Sequence, residues 1–410
     1  MQDLFCRLCS ARLNRTFVNL GMSPLSNAYL TCQQLERMEP FYPLHVRICE
    51  GCFLVQLAEF ESPERIFSDY AYFSSCSESW VQHARSYVEQ MQDRLSLTRE
   101  SLVVELASND GYLLQFFQAM QIPVLGVEPA ANVARVAREK GIPTIAQFFS
   151  SETAGRLAAE GKRADLIVAN NVLAHVPDLN DFVAGMTTLL KPEGVITLEF
   201  PHLMRLIEGN QFDTIYHEHF SYFSLFSVEQ VLRSHNLTVF DVEELSTHGG
   251  SLRLYVWHAA NSQPVNPQVE AMRKWEESRG VRDPDAYASF GTKIEEIKRN
   301  LLDFLIDAKR QGKRVAGYGA PAKANTLLNY CGIRTDFLDY TVDVSPHKQG
   351  HYLPGTHIPI YHPDKLRETR PDYVLILPWN IREEILTQMA GVRDWGGRFV
   401  IPIPRLEIIE

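Results

Sequence analysis

Between Ser101 and Phe200 the chain alternates short apolar runs with amphipathic stretches, and this alternation restricts its fold more than any other feature. Ser101-Leu-Val-Val-Glu-Leu106, Val124-Leu-Gly-Val-Glu128, Thr144-Ile-Ala-Gln147, Asp165-Leu-Ile-Val-Ala169 and Val195-Ile-Thr-Leu-Glu-Phe200 read as strands. Gly111 to Phe117, Ala130 to Lys140 and Asp178 to Leu190 read as helices between them. Runs that are apolar throughout, rather than at every second residue, belong to strands covered on both faces. Strands and helices in strict alternation therefore predict an α/β fold with a doubly wound parallel sheet. Leu237 to Leu245 and Ser251 to His258 read as strands that close it.

The flanks differ in character. Residues 1–80 are short strands and turns carrying Cys6-Arg-Leu-Cys9 and Cys49-Glu-Gly-Cys52. A two-residue gap lets both thiolates of a pair reach one tetrahedral ion, and two such knuckles make a closed four-sulfur zinc site. The long gap between Cys9 and Cys49 implies an inserted loop or hairpin. Such a site has no open position for substrate, so the metal is expected to be structural; independent redox or core pairs are the other reading. Of the remaining cysteines, Cys32 and Cys331 are expected to be buried and inert. Val81 to Leu97 reads as a helix leading into the sheet, and residues 81–260 form a second domain. Residues 261–310, polar, helical and marked by Pro264, Pro267 and Pro284, form a connector. A second α/β unit, 311–410, opens at Arg314-Val-Ala-Gly-Tyr-Gly319 and continues through Tyr340-Thr-Val-Asp343, Tyr373-Val-Leu-Ile-Leu377 and Arg398-Phe-Val-Ile-Pro402.

Composition excludes several classes of function. Among 410 residues, 40 basic and 50 acidic side chains give a net charge of -10, and no basic block tracks a phosphate backbone. A dedicated nucleic-acid binder is disfavoured. Apolar runs such as Asp372 to Pro378 fall far short of a membrane span. The start, Met-Gln-Asp-Leu-Phe-Cys, lacks the pattern of a signal peptide. A soluble cytoplasmic monomer is expected, although the sequence leaves the oligomeric state open.

One turn carries the first functional signal. Glu105-Leu-Ala-Ser-Asn-Asp-Gly111 lies where a strand passes into a helix, so main-chain N–H groups face a charged ligand. Glu128 ends the next strand, where a carboxylate accepts from both hydroxyls of a ribose. Together these point to an adenosine-containing cofactor. A dinucleotide turn expects three glycines in G-x-G-x-x-G, and this turn has one. The spacing fits better the E-x-x-x-x-x-G turn of methyltransferases; an ordinary capped turn is the bland alternative.

These residues, with Val127-Glu128-Pro129 and Asn170-Asn-Val-Leu-Ala-His175, resemble class I S-adenosylmethionine-dependent methyltransferases. The double knuckle, Tyr216-His-Glu-His-Phe220, His248-Gly-Gly-Ser-Leu-Arg253 and Gly317-Tyr-Gly-Ala-Pro-Ala-Lys323 narrow the resemblance to zinc-containing sugar C-methyltransferases. Those enzymes act on nucleotide-linked 4-keto-deoxysugars, typically at C-3. The resemblance spans essentially the whole chain. It implies a zinc domain, a cofactor domain and a C-terminal Rossmann-like domain that helps hold the nucleotide sugar, with dTDP and GDP both plausible. The expected cofactor residues are Glu105, Ala107, Asn109, Asp110, Gly111, Glu128, Gln147, Asn170 and Asn171. Ala107 stands where the general pattern has glycine, and Gln147 where many methyltransferases carry an acid facing the adenine amine.

Bonding carbon beside a ketone requires a base for the C-3 proton and donors for the developing C-4 oxyanion, the latter being the larger effect. A base titrating near neutrality points to histidine. Tyr216-His217-Glu218-His219-Phe220-Ser221-Tyr222 is the richest cluster. In a strand His217 and His219 share a face; in a helical turn Tyr216 and His219 do. A polar loop with structural histidines and a metal site are the alternatives. The resemblance places the base at His219, with Glu218 and Tyr216 orienting it or contacting the sugar. It also places His175 in the active site, against the enolate oxygen, and Tyr72 as an active-site tyrosine. Tyr70 is a near-equal candidate, and Tyr222 is a further substrate contact. His248, Ser251 and Arg253 suit a phosphate or sugar oxygen. The glycine turn before Lys323 suggests a pyrophosphate grip using Tyr318 and Lys323, with Lys348 a weaker candidate.

Two other functions compete: an O- or N-methyltransferase acting on a small metabolite, which needs no α-proton base, and a zinc-stapled binding module without catalysis. An oxidoreductase ranks last, given the missing glycines.

Overall fold

The structure, a computed structural model, describes residues 4–67, 73–261 and 263–410. Its strands in chain order are β1 (Arg15–Ser23), β2 (Tyr42–Ile48), β3 (Val55–Leu57), β4 (Val103–Leu106), β5 (Val124–Val127), β6 (Thr144–Ile145), β7 (Ala164–Asn170) and β8 (Leu190–Pro201). They are followed by β9 (Ser221–Tyr222), β10 (Leu237–Leu245), β11 (Ser251–His258), β12 (Val315–Tyr318), β13 (Thr341–Val342), β14 (Ile360–Tyr361), β15 (Tyr373–Ile376), β16 (Arg398–Ile401) and β17 (Glu407–Ile409).

The central sheet has the order β10-β11-β8-β7-β4-β5-β6. β4 and β5 are buried at every position, Glu105 included, and pair in parallel, as strands covered on both faces do. β4 pairs with β5 on one side and β7 on the other, so the winding reverses there. A crevice opens at the carboxyl ends of strands at such a reversal. β11 runs antiparallel to both β8 and β10, and β10 forms the far edge.

The turn after β4 is built from left-handed residues: Ala107, Asn109 and Gly111 have φ of 55°, 47° and 77°. Gly111 is needed twice over, because a Cβ there would also collide with the Ile142 side chain. The helix after this turn spans Leu114–Ala119, starting later than the sequence suggests because the left-handed turn occupies its first residues. β6 ends at Ile145, short of Gln147. The helix preceding β4 spans Glu78–Leu95; Ser77 caps it by accepting from the Trp80 N–H, which moves its start ahead of Val81. Ala84, Tyr87, Val88 and Met91 recur at helical spacing and face the sheet.

The N-terminal sheet has the order β1-β2-β3-β9, so its last strand is lent by the segment after the histidine cluster. Its apolar face does not close a core of its own. Phe17, Val46 and Leu57 pack in one cluster with Phe290, Leu301 and Leu328 of the C-terminal part, and Phe17 stacks on Phe290 with centroids 4.9 Å apart. Cys6, Cys49 and Cys52 instead join the core beneath the central sheet.

The region expected as a polar connector is two packed helices. Pro267–Glu277 buries Val269 and Met272 against the central core, and Ser289–Arg310 buries Phe290, Ile294 and Leu301 against the C-terminal one. The C-terminal sheet, β14-β13-β12-β15-β16-β17, is parallel except for β17, and β12 is again the point of reversal. Cys331 is buried as expected, but Cys32 is exposed, because its short 3-10 helix contributes nothing to a core. Among the described residues no helix is long and apolar enough to cross a membrane.

Candidate active site

A cavity of about 560 Å³ opens at the carboxyl ends of β4, β5 and β7. All three parts of the chain wall it: Asn27 and Tyr29 from the N-terminal part, the turn after β4 and the histidines from the middle, and Lys323 and Lys348 from the C-terminal part.

One half of the wall fits an adenosine-bearing donor. Glu128, at the end of β5, is fixed by accepting the Asn109 N–H at 2.9 Å and the Ala130 N–H at 2.8 Å. Burial pushes its pKa up while these bonds oppose the rise. Each carboxylate oxygen keeps a further lone pair for a ribose hydroxyl. Val127, Pro129, Ala130, Phe148 and Val172 add apolar surface for a flat base, and Phe148 is 40% exposed, an unusual state for phenylalanine. Asn170 and Asn171 line the cavity at the end of β7, and the Asn170 Oδ1 and both polar side-chain atoms of Asn171 are buried with no partner among the described residues. Buried polar atoms without partners are costly, so these await a polar ligand. The residues present fit S-adenosylmethionine.

The second half holds a cluster of histidines and a tyrosine. Tyr216, His219, His175 and His248 line the cavity. Tyr216 and His219 have centroids 4.0 Å apart and an interplanar angle of 35°, so the segment is a turn, and the strand alternative falls away. His217 points elsewhere, bonded to the Pro43 carbonyl at 3.3 Å. His219 Nδ1 lies 2.8 Å from the Thr214 carbonyl oxygen. A carbonyl only accepts, so Nδ1 carries the hydrogen and Nε2 the lone pair. The His175 ring stands edge-on to it at 4.7 Å. Burial, with His175 adding to it, holds His219 well below the usual imidazole range, and burial pushes His175 and His248 down to about 4. Burial thus disfavours the charged form of His219 relative to a free imidazole. Glu218 lies behind the wall residue Asn27, accepts from its Nδ2 at 2.7 Å, and is pushed up to about 7 by burial.

At the C-terminal wall, Lys323 Nζ donates to Asn380 Oδ1 at 2.7 Å and sits 4.6 Å from the Trp379 ring centroid. Burial lowers its pKa and buried Asp213 opposes this. Lys348 Nζ and the Tyr29 hydroxyl both donate to the Ala320 carbonyl, at 3.0 and 2.6 Å, pinning the turn after β12.

Away from the cavity, the Sγ atoms of Cys6, Cys9, Cys49 and Cys52 all lie within 4.8 Å of one another. Cys6 and Cys52 are 3.5 Å apart, and Cys9 and Cys49 3.6 Å. Four sulfurs about 2.3 Å from one ion are roughly 3.8 Å apart, so the cluster fits zinc with no position left open.

Comparison with known proteins agrees with this geometry. Residues 6–67 match a zinc binding domain family, residues 80–242 a methyltransferase domain family, and residues 246–404 the C-methyltransferase C-terminal domain family. The C-methyltransferase NovU of Streptomyces niveus is 36% identical over 415 residues, covering 100% of this chain and 99% of that protein. The chain belongs to the C-methyltransferase family. A ubiquinone biosynthesis O-methyltransferase of Methylobacterium sp. (strain 4-46) is 30% identical over 97 residues, 23% of this chain and 38% of that protein. An S-adenosylmethionine-dependent methyltransferase structure from Clostridium acetobutylicum ATCC 824 aligns with a TM-score of 0.35 at 11% identity, covering 44% of this chain and 92% of that one.

In this C-methyltransferase several residues expected at the site lie off the cavity wall. Arg253 is spent on Glu199 at 3.0 Å and Glu243 at 3.2 Å, and Ser251 donates to the Thr247 carbonyl at 3.0 Å. Tyr318 packs in the C-terminal core with its hydroxyl 3.2 Å from Gln388, and Tyr222 is buried in β9 beside Val55. Gln147 faces a separate recess, its amide on Thr153 and its carbonyl taken by Arg156. Glu105 is sealed inside β4, where burial, then Glu128 and Asp110, push its pKa well up. Asp110 is held by Lys140 at 3.0 Å and by the Ser75 hydroxyl, and acts behind the turn. Gly111 shapes that turn without lining the cavity. Tyr70 and Tyr72 lie outside the described residues. Sequence reasoning missed Asn27, Tyr29 and Trp80, which reach the cavity from remote segments. Trp80 has a legible signal only in retrospect: a large aromatic in the first turn of a helix, stacked on His83 at 4.9 Å and on Tyr112 at 6.2 Å.

Proposed function

We propose that the chain methylates C-3 of a nucleotide-linked 4-keto-6-deoxyhexose, with His219 as the base. The observation that carries this reading is the His219 ring on the cavity wall with its Nδ1 hydrogen engaged by Thr214.

Bound S-adenosylmethionine supplies an electrophilic methyl group on a sulfonium that departs as a neutral thioether. The protein does the rest. Lys323 and Lys348, with the N-terminus of the helix Ala322–Cys331, hold the pyrophosphate. His219 Nε2 takes the C-3 proton, and Thr214 keeps the ring in the tautomer that accepts it. His175, whose ring N–H goes to the Glu218 carbonyl, keeps the Nδ1 lone pair and packs against His219. The Tyr216 hydroxyl donates to the C-4 oxygen as charge develops, and a placed donor of this kind contributes about 3 kcal/mol. A weak base removing a weakly acidic proton makes this the dominant effect. Glu218 orients the segment through Asn27 and so links it to the N-terminal wall.

The test is incubation of the purified protein and methyl-labelled donor with dTDP- and GDP-linked 4-keto-6-deoxyhexoses. The reading requires a product whose label is bonded to carbon and adjacent to the ketone. A label on oxygen or nitrogen overturns it.

A further inference from the structure

We propose that Arg7, inside the first cysteine knuckle, is a positioning residue for the His175–His219 pair; this rests on the reading above that the pair handles the substrate proton. The metal-binding sequence thereby reaches into the catalytic geometry, a role distinct from stapling the N-terminal part.

Arg7 lies between Cys6 and Cys9, yet its side chain leaves the knuckle. Nη1 donates to the Pro177 carbonyl at 3.0 Å and Nη2 to the Leu57 carbonyl at 2.5 Å. The guanidinium carbon lies 5.4 Å from the Phe220 ring centroid. Pro177 is two residues beyond His175 and lines the cavity with it. Phe220 directly follows His219, and its N–H donates to the Ala174 carbonyl at 2.7 Å, one residue before His175. Leu57 donates its own N–H to the Phe220 carbonyl at 2.9 Å. One guanidinium therefore touches the segment leaving His175, the residue after His219 and the strand that joins them.

The other end of Arg7 is fixed to the metal site. Its N–H donates to Gln56 Oε1 at 3.0 Å, while Gln56 Nε2 donates to Cys6 Sγ at 3.1 Å. Asn180 Nδ2 donates to the carbonyls of Arg7 and Leu8 at 3.0 and 3.2 Å. The planar fork of arginine holds two carbonyls at a set separation, which the point charge of lysine does not. The rings of His175 and His219 are 4.7 Å apart on two different segments, so their spacing depends on what ties those segments. A misplacement of about 1 Å costs on the order of 100-fold in rate.

The experiment compares Arg7→Met and Arg7→Lys with the wild type in the full-length protein. Exchange of the substrate C-3 proton with deuterated water is followed with S-adenosylhomocysteine in place of the donor, alongside zinc content and the Kd for S-adenosylmethionine. Both variants should keep one zinc per chain and bind S-adenosylmethionine within about twofold of wild type. Their exchange should fall roughly 10- to 100-fold, the distance effect quoted above. Guanidinium ion added to Arg7→Gly should restore part of it. Wild-type exchange in a zinc-loaded variant overturns the proposal, as does loss of exchange only in step with loss of zinc. Should Arg7→Met not fold, Arg7→Lys and the rescued Arg7→Gly decide. No exchange in the wild type sinks the proposed function instead.

Discussion

His219 Nδ1 stands 2.8 Å from the carbonyl oxygen of Thr214, five residues earlier in the chain. That one bond determines which ring nitrogen is basic. Thr214 ends the short 3-10 turn Phe212–Thr214, which is held from the C-terminal side: Thr326 donates to the Ile215 carbonyl at 2.8 Å, and Trp379 Nε1 donates to Asp213 Oδ2 at 2.7 Å. The His219 ring thus takes its orientation from the same part of the chain that presents Lys323.

The pH dependence of kcat/KM follows from this burial. The active form of His219 is neutral, and its pKa is lowered by burial and by His175. The rate should therefore hold level as pH falls through the ordinary imidazole range, about 6.5, and decline only below it. A pH–rate profile with its acid limb centred near 6.5 contradicts the assignment.

Lys323 should act on substrate affinity. It is a buried ammonium on the cavity wall, and a charge-assisted bond of this kind contributes about 1.5–3 kcal/mol. Lys323→Met should raise KM for the nucleotide sugar roughly 10- to 100-fold, the equivalent of that energy, while the Kd for S-adenosylmethionine stays within about twofold. Calorimetry with each ligand separates the two.

Stability should fall in acid for a reason independent of catalysis. Burial pushes His175, His217 and His248 down to about 4. A group with a depressed folded pKa contributes stability above its unfolded value, near 6.5, that is lost as pH falls through the folded one. Glu218, raised to about 7, works in the opposite direction between its unfolded value and that pH. Thermal denaturation should show Tm dropping between pH 6.5 and 4. His217→Gln, a change away from the cavity, should flatten the drop.

Metal removal should damage more than the N-terminal sheet. Cys6, Cys49 and Cys52 belong to the central core, and β9 ties β3 to the segment after His219. Chelation, or Cys49→Ser, should lower Tm and weaken S-adenosylmethionine binding together, since structural zinc binding is itself folding free energy. Metal loss with unchanged Tm would show the cluster to be incidental.

The central sheet is legible because β4, β5 and β7 are short, mostly apolar runs separated by helical stretches, and the cysteine pairs because ligand spacing is a local property. The histidine segment is ambiguous because so short a run fits either a period of two or a turn; the Tyr216–His219 ring contact resolves it. Arg253 misled for a clear reason. β11 pairs with β8 in a register that sets Arg253 opposite Glu199, so its charge is neutralised inside the sheet and does not face a phosphate. The resemblance sets Gln147 at the adenine edge, but β6 stops two residues earlier and the side chain turns to Thr153 and Arg156. Asn27 and Tyr29 have no local signature; they reach the cavity because the N-terminal sheet shares its core with the C-terminal part.

The most direct test replaces His219 with Asn and follows label from the donor methyl group and from deuterated water in the same tubes. The account predicts S-adenosylmethionine binding within about twofold of wild type, with methyl transfer and C-3 exchange both reduced about 100- to 10,000-fold, the range for losing a general base. Exchange and transfer persisting near wild-type rates in that variant would show that another group removes the proton.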